Sequence, residues 1–140
     1  MNLLKNSKIT KVKAYQAGAT SAVDSDEVDM SGWDGVLFLA SIGTPATNNS
    51  MKAQQDTATG MSTAADLEGT SVASTSAKTD LALDIYRPRE RFVRVEITRT
   101  TSTTVEAIWA IQYRGRKGAQ TNITTLQAAE SHVSPAEGTA

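Results

Sequence analysis

The strongest constraint on the fold comes from three stretches between Leu81 and Tyr113 in which apolar and polar residues alternate. A period of two, rich in β-branched and aromatic side chains, predicts half-buried β-strands. The links between the stretches, RPRE and TTST, are short and polar, so we predict a three-stranded antiparallel meander. The apolar faces are Leu81, Leu83 and Ile85; Val93, Val95 and Ile97; and Val105, Ala107, Trp109, Ile111 and Tyr113.

Further strands are expected before the meander. The pattern predicts strands over 9–15 and 27–30, a strand buried on both faces over 35–42, and an edge strand over 50–56. Trp33 is expected to cap one end of the core. Residues 57–78, mostly Ala, Ser, Thr and Gly, are predicted to form long surface loops, in which one helical turn over 64–68 and a short strand over 70–73 can form. About seven or eight short strands separated by turns are typical of an antiparallel β-sandwich. We therefore expect an all-β, jelly-roll-like fold with extended terminal arms.

The length of 140 residues fits one domain. We assign the β-sandwich to residues 1–118, with 1–8 as a loosely held arm. Residues 119–140 have no sustained apolar period and are expected to form an extended C-terminal arm. No apolar run suits a signal peptide or a membrane span, so we expect synthesis in a cytoplasm and no membrane partner.

Catalytic chemistry has few residues to use. The chain has no Cys, and His132 is the only histidine. It lies in the predicted arm with no nucleophile or acid at a known motif spacing. The acidic run that begins at Asp24 lacks the Gly and Glu of a calcium loop, with Asp29 at the position of the required Gly. We therefore expect no enzyme activity, no metal and no cofactor.

Basic residues cluster after the first and third strands of the meander. They fit either nucleic acid or a protein interface, and the sequence leaves open whether the two clusters merge. The net charge of −1, the interleaved Glu90 and Glu96, and the 5% aromatic content favour carboxylate pairing, at a protein interface or within the chain, over nucleic acid. With the lone histidine, the interface candidates are Arg87, Arg89, Arg91, Arg114, Arg116, Lys117 and His132.

The segments ALDIYRPRERFVRVEITR, IWAIQYRGRK and ESHVSPAEGTA, with LLKNSKIT and VDMSGWDGVLFLA, form a pattern that covers most of the chain. It resembles small structural proteins encoded beside the major capsid protein in tailed bacteriophages, in particular the jelly-roll cement (decoration) proteins of podovirus-like heads. The resemblance implies a virion protein on the outer capsid surface, made in the host cytoplasm. Its implied partners are the major capsid protein and itself, as a dimer in preference to a trimer.

Other classes stay open on the sequence. A carbohydrate- or receptor-binding virion module would need an exposed aromatic cluster. A head-completion or minor tail protein would share the phage context but not the position on the shell. The quoted segments contain no catalytic motif that would decide among these roles.

Overall fold

The computed structural model describes residues 2–115, 122, 127–131 and 137. In this part of the chain, one short helix and twelve β-strands confirm the all-β prediction. The elements are α1 (Leu3–Asn6), β1 (Ser7–Lys13), β2 (Gln16–Ala19), β3 (Val23–Asp24), β4 (Val28–Asp29), β5 (Gly35–Ser41), β6 (Asn49–Asp56), β7 (Ala65–Asp66), β8 (Val72–Ala73), β9 (Asp80–Tyr86), β10 (Phe92–Arg99), β11 (Thr103–Val105) and β12 (Ile108–Tyr113).

The strands form two main antiparallel sheets and a small β2–β11 pair. The four-stranded sheet has the order β1-β12-β5-β9. In the six-stranded sheet β10 pairs with β6, both β3 and β4 pair with β10, and both β7 and β8 pair with β6. When β2 and β11 are left out, and β3 with β4 and β7 with β8 are each counted as one interrupted strand, eight strands remain. Numbered 1 to 8 along the chain, they lie in the order 1-8-3-6 in the four-stranded sheet and 2-7-4-5 in the six-stranded sheet. This is the order of a jelly roll, as predicted.

The core lies between the inner faces of the two sheets. Phe38 of β5, Met51 of β6 and Ile97 of β10 are fully buried there. Burial of one such side chain contributes about 1.5–3 kcal/mol. Two of the predicted apolar faces also point inward, and Trp33 packs against the edge of the core as expected. The inward members of those faces are Leu81, Leu83 and Ile85 on β9 and Val93, Val95 and Ile97 on β10.

The predicted three-stranded meander is wrong. Strand β9 pairs with β5, β10 pairs with β6, and β12 lies between β1 and β5 in the sheet of β9. Alternation shows that a strand buries one face, but it does not show which strand is its neighbour. The RPRE link crosses the gap of about 10 Å between packed sheets and does not close a hairpin within one sheet.

Two predictions about the surroundings of single strands are also wrong, because the sequence pattern does not show which elements lie next to a strand. The 50–56 strand, predicted as an edge, is central, because β10 flanks one side and β7 and β8 flank the other. Strand β5, predicted to be buried on both faces, is buried on one, and Leu39 on its outer face is 37% exposed. The inner residues of a β-sandwich strand are fully covered, whereas its outer residues meet solvent or another molecule.

The third alternation changes phase after Val105. Residues 106 and 107 belong to no strand, so the inward residues of β12 are Ile108, Ala110 and Gln112. Trp109 and Tyr113, predicted as core, lie half-buried on the outer face. Gln112 occupies an inward position because its amide donates to the Asp29 carbonyl at 2.7 Å, which satisfies a buried polar group.

The loop and arm predictions are partly corrected. Residues 57–78 contain β7, which was not predicted, and β8, which falls within the short strand predicted over 70–73. The carboxylate of Asp56 holds the first turn by accepting from the Thr63 amide at 2.8 Å. The N-terminal arm prediction is wrong for residues 3–8, because α1 leads directly into β1. Most of the predicted arm over 119–140 lies outside the described residues. Asn122, which is described, is buried against β1.

Arg99 is a structural residue at the end of β10. It is 5% exposed, and its guanidinium donates to the carbonyls of Ser21 at 2.6 Å, Ala17 at 2.8 Å and Thr103 at 2.9 Å. The described part of the chain places no carboxylate on it. The cation therefore cross-links the loops around β2 and β11 through backbone oxygens.

We expect Arg99→Met to lower the free energy of unfolding by about 2–4 kcal/mol, because the buried Thr103 carbonyl and two partly buried carbonyls lose their donor. Urea denaturation measures the loss. Arg89→Met is the matched control, since Arg89 is exposed, and it should change stability by less than about 0.5 kcal/mol. Equal stability of the two variants would contradict the role given to Arg99.

Candidate interaction surface

Arginine side chains collect at one end of the sandwich. Strand β5 begins there at Gly35, which pairs with the last residues of two neighbouring strands, Tyr86 of β9 and Tyr113 of β12. The β9–β10 loop and the residue that follows β12 therefore meet at this end. We call the surface formed by residues 33–34, 87–91 and 114 the arginine end.

Asp34 joins the two basic clusters. Its carbonyl accepts from the Arg87 amide at 2.7 Å, and its own amide donates to the Tyr113 carbonyl at 3.3 Å. Its carboxylate lies 3.6 Å from Nε of Arg114. The sequence left open whether the two basic clusters merge. They do, because Arg87 and Arg114 lie on either side of one aspartate.

Arg87 and Arg114 share an uncommon backbone conformation. Both have φ of 52°, in the left-handed region that non-glycine residues adopt at a cost of about 1–2 kcal/mol. Each follows the tyrosine that ends its strand, and the Arg87 guanidinium lies 5.1 Å from the centroid of the Tyr86 ring. The sharp turn at each residue ends the strand and directs the chain across the end of the sandwich.

Arg91 is held in place by an acid. Its Nε and a terminal nitrogen donate to the two carboxylate oxygens of Asp29 at 2.9 and 2.7 Å, a bidentate pair, and the guanidinium lies 5.2 Å from the Phe92 ring centroid. The hydrogen bonds from Arg91 lower the pKa of Asp29 to about 2. The charge of Arg91 is therefore offset by Asp29, and two hydrogen bonds orient its guanidinium.

Arg89, like Arg87, is exposed and has no ion pair among the described residues, but unlike Arg87 it lies over no aromatic ring there. It borders a hollow of about 550 Å³ between the 87–91 loop and residues 30–33. Trp33 walls this hollow, and its ring lies so close to Gly115 that a Cβ on that residue would collide with it. The surface thus offers an unpaired cation beside an aromatic wall.

Tyr113 connects the arginine end to the outer face of the four-stranded sheet. Its ring lies across Gly35, in the space that a Cβ would occupy, and its hydroxyl donates to the Asp84 carboxylate at 2.7 Å. Burial of the phenol, with the neighbouring Asp84, raises the pKa of Tyr113 to about 12. Glycine at position 35 is what allows this crossing from β12 to β9.

The structure brings together Arg87, Arg89, Arg91 and Arg114 from the predicted interface set. Arg116, Lys117 and His132 lie outside the described residues. Sequence reasoning did not identify Asp34 as the link between the two clusters. A usable signal was present, because a Tyr-Arg pair ends each of the two strands that flank β5, and an Asp-Gly pair begins β5.

The acidic run that begins at Asp24 is used in ion pairs. Asp24 lies 3.2 Å from Arg94, and Asp29 holds Arg91. Within the described ranges, no group of three or more His, Cys, Asp or Glu side chains is arranged to hold a metal ion. In the same ranges, no helix is long and apolar enough to cross a membrane.

Comparisons with known proteins give one distant similarity. No protein-family model and no curated protein matches the chain. Among solved structures, the crystal structure of the SPBc2 prophage-derived protein YomS matches with 13% sequence identity and a TM-score of 0.49. The match covers 76% of this chain and 92% of that chain. A similarity this distant carries no argument about function.

We expect Arg91→Gln to raise the pKa of Asp29 from about 2 towards its usual value of 3.8, because the donor hydrogen bonds are lost. The depressed pKa of Asp29 stabilises the folded state at pH values above the usual carboxyl pKa of 3.8. This stabilisation is lost as the pH falls towards 2. The stability difference between wild type and variant should therefore be constant above about pH 5 and shrink below it. NMR titration of the Asp29 side-chain carbon measures the pKa. Arg89→Gln is the control and should leave it unchanged.

We expect Asp84→Asn to lower the pKa of Tyr113 from about 12 but to leave it above 10.0, because burial is the larger cause of the shift. The ultraviolet absorbance of tyrosinate during a pH titration follows this ionisation, and a Tyr113→Phe variant assigns it. Asp80→Asn, on the same strand, is the control. A wild-type Tyr113 pKa near 10 would contradict the described contact.

Proposed function

We propose that the protein is a structural virion protein, without chemistry of its own, that binds the outer surface of a phage capsid. There it cements neighbouring copies of the major capsid protein against internal pressure. The segments quoted above supply the phage context through their resemblance to cement proteins. The observation that carries the proposal is the arginine end, where a fixed loop presents an unpaired Arg89 beside Trp33.

The geometry of this end suits a protein partner. Arg91 and Arg114 each lie beside an aspartate, so the surface alternates paired and unpaired charge and is not uniformly basic. A planar guanidinium next to an aromatic wall binds carboxylates on another protein well, because it donates two parallel hydrogen bonds. We propose acidic side chains of the major capsid protein as the partners of Arg89.

Cementing requires little affinity from each contact. A shell presents many equivalent sites, and a clip that contacts two neighbouring capsomers gains from the high effective concentration of the second site. A protein with two such ends would bridge a seam, whereas one with a single end would only decorate the shell. This argument favours a dimer, and a trimer on three-fold axes is the alternative.

The test mixes purified protein with expanded capsids that lack it, sediments the particles and counts the bound copies. We expect saturable binding at a stoichiometry set by the symmetry axes of the shell, with a raised melting temperature of the particle. Absence of binding, or only a few copies per particle, would overturn the proposal. The second result would indicate a role at the portal or tail.

A charge reversal tests the arginine end itself. Arg89→Glu should weaken capsid binding by about tenfold or more, because an attractive contact becomes a repulsive one. Lys11→Glu is the matched control, since Lys11 is also exposed but lies on β1, at the opposite edge of the four-stranded sheet from β9. Equal weakening by both variants would show a general effect of charge and not a defined contact.

A further inference from the structure

The two edges of the four-stranded sheet differ. Strand β1 forms one edge, and it is protected by Lys8, Lys11 and Lys13 and by an irregularity in register between Lys11 and Lys13. The side-chain amide of Asn122 also closes it, accepting from the Ile9 amide at 2.7 Å and donating to the Ser7 carbonyl at 2.9 Å. These are the devices by which proteins prevent edge strands from pairing.

Strand β9 forms the other edge and has none of these devices. Its sequence, DLALDIY, contains no Lys, Arg, Gly or Pro, and its seven residues pair with β5 without a break in register. On its other side, no described residue forms a strand pair with it. Every second residue of such a strand directs its N–H and C=O outward, so β9 presents a row of free backbone groups. A hollow of about 510 Å³ lies beside its residues 84–86, and Gln55, residues 66–68 and Thr70 line its other side.

We propose that β9 pairs antiparallel with β9 of a second copy of this chain, about a two-fold axis at Leu83. The two four-stranded sheets would then form one continuous sheet across the dimer. In this register Leu81 lies opposite the partner's Ile85, which extends the inner face. On the outer face Ala82 lies opposite the partner's Asp84, and Asp80 lies opposite the partner's Tyr86.

The charges of β9 select this register. If the register shifts by two residues in one direction, Asp80 lies opposite the partner's Asp84. If it shifts by two residues in the other direction, Asp84 lies opposite the partner's Asp84. Like charges directly opposite each other are unfavourable in a sheet. A shift by one residue would place the core face of one strand on the outer face of the other. The register centred on Leu83 therefore pairs all seven residues without opposing two acids.

The ends of β9 are also complementary. Asp80, which accepts from the Ser41 hydroxyl at 2.6 Å, lies at the start of the strand, and Arg87 follows its end. Antiparallel pairing brings Asp80 beside the partner's Tyr86 and Arg87. Because Arg87 has no ion pair among the described residues, the second copy supplies the carboxylate that it lacks. Charge complementarity thus identifies the occupant of the edge as a copy of the same chain.

This inference deepens the dimer of the proposed function, but its test needs no capsid. Sedimentation of the purified full chain should give the mass of a dimer. Ala82→Glu should weaken dimerisation by about tenfold, because the new carboxylate of each copy lies opposite the partner's Asp84 and is repelled by it. Ala82→Lys should strengthen dimerisation, because the same positions then attract. A general loss of stability could not produce opposite effects from two substitutions at one exposed site.

Lys11→Glu, on the protected β1 edge, is the matched control and should leave the dimer unchanged. A wild-type monomer at all protein concentrations, or a dimer that responds equally to both Ala82 substitutions, would overturn the inference. A monomer that saturates capsids would overturn the β9 dimer but not the cement role. A β9 dimer that does not bind capsids would overturn the cement role but not the β9 dimer.

Discussion

Packing between the two sheets is the interaction on which the other features depend. Strands β9 and β10 are consecutive in the chain, but each buries its apolar face from the opposite side of the core. The loop between them must therefore cross the end of the sandwich. This crossing carries Arg87, Arg89 and Arg91 over the edge of the core and beside Asp34. The arginine end is thus a consequence of jelly-roll connectivity, with a surface chemistry added to it.

Electrostatics then divides the arginines by role. Arg99 is buried and holds backbone carbonyls, so it belongs to the fold. Arg91 and Arg114 lie beside Asp29 and Asp34, which orders the loops at the arginine end. Arg89 has no ion pair in the described part of the chain and is free to contact another molecule. Residues of one type, close in sequence, therefore differ in function because their surroundings differ in burial and in available acids.

The proposed dimer and the proposed cement role support one another geometrically. Two β9 strands that pair antiparallel direct their C-terminal ends in opposite directions, so the two arginine ends lie at opposite ends of the shared sheet. Such a particle carries two equivalent binding surfaces, as a bridge between neighbouring capsomers requires. In this proposed dimer the protected β1 edge would limit pairing to one side, which would close the assembly at two copies and prevent an extended fibre.

Alternation and turn composition alone determined that the chain is all-β, and they also identified the inward faces of β9 and β10 and the basic residues after β9 and β12. These features follow from local periodicity, because the alternation of apolar and polar residues indicates which side chains of a strand are buried. Strand partners, the central position of β6 and the phase change after Val105 were decided only by tertiary structure. The same is true of the meeting of Arg87 and Arg114 at Asp34. Periodicity shows that a face is buried, whereas the partner that buries it is chosen by packing between residues far apart in the chain.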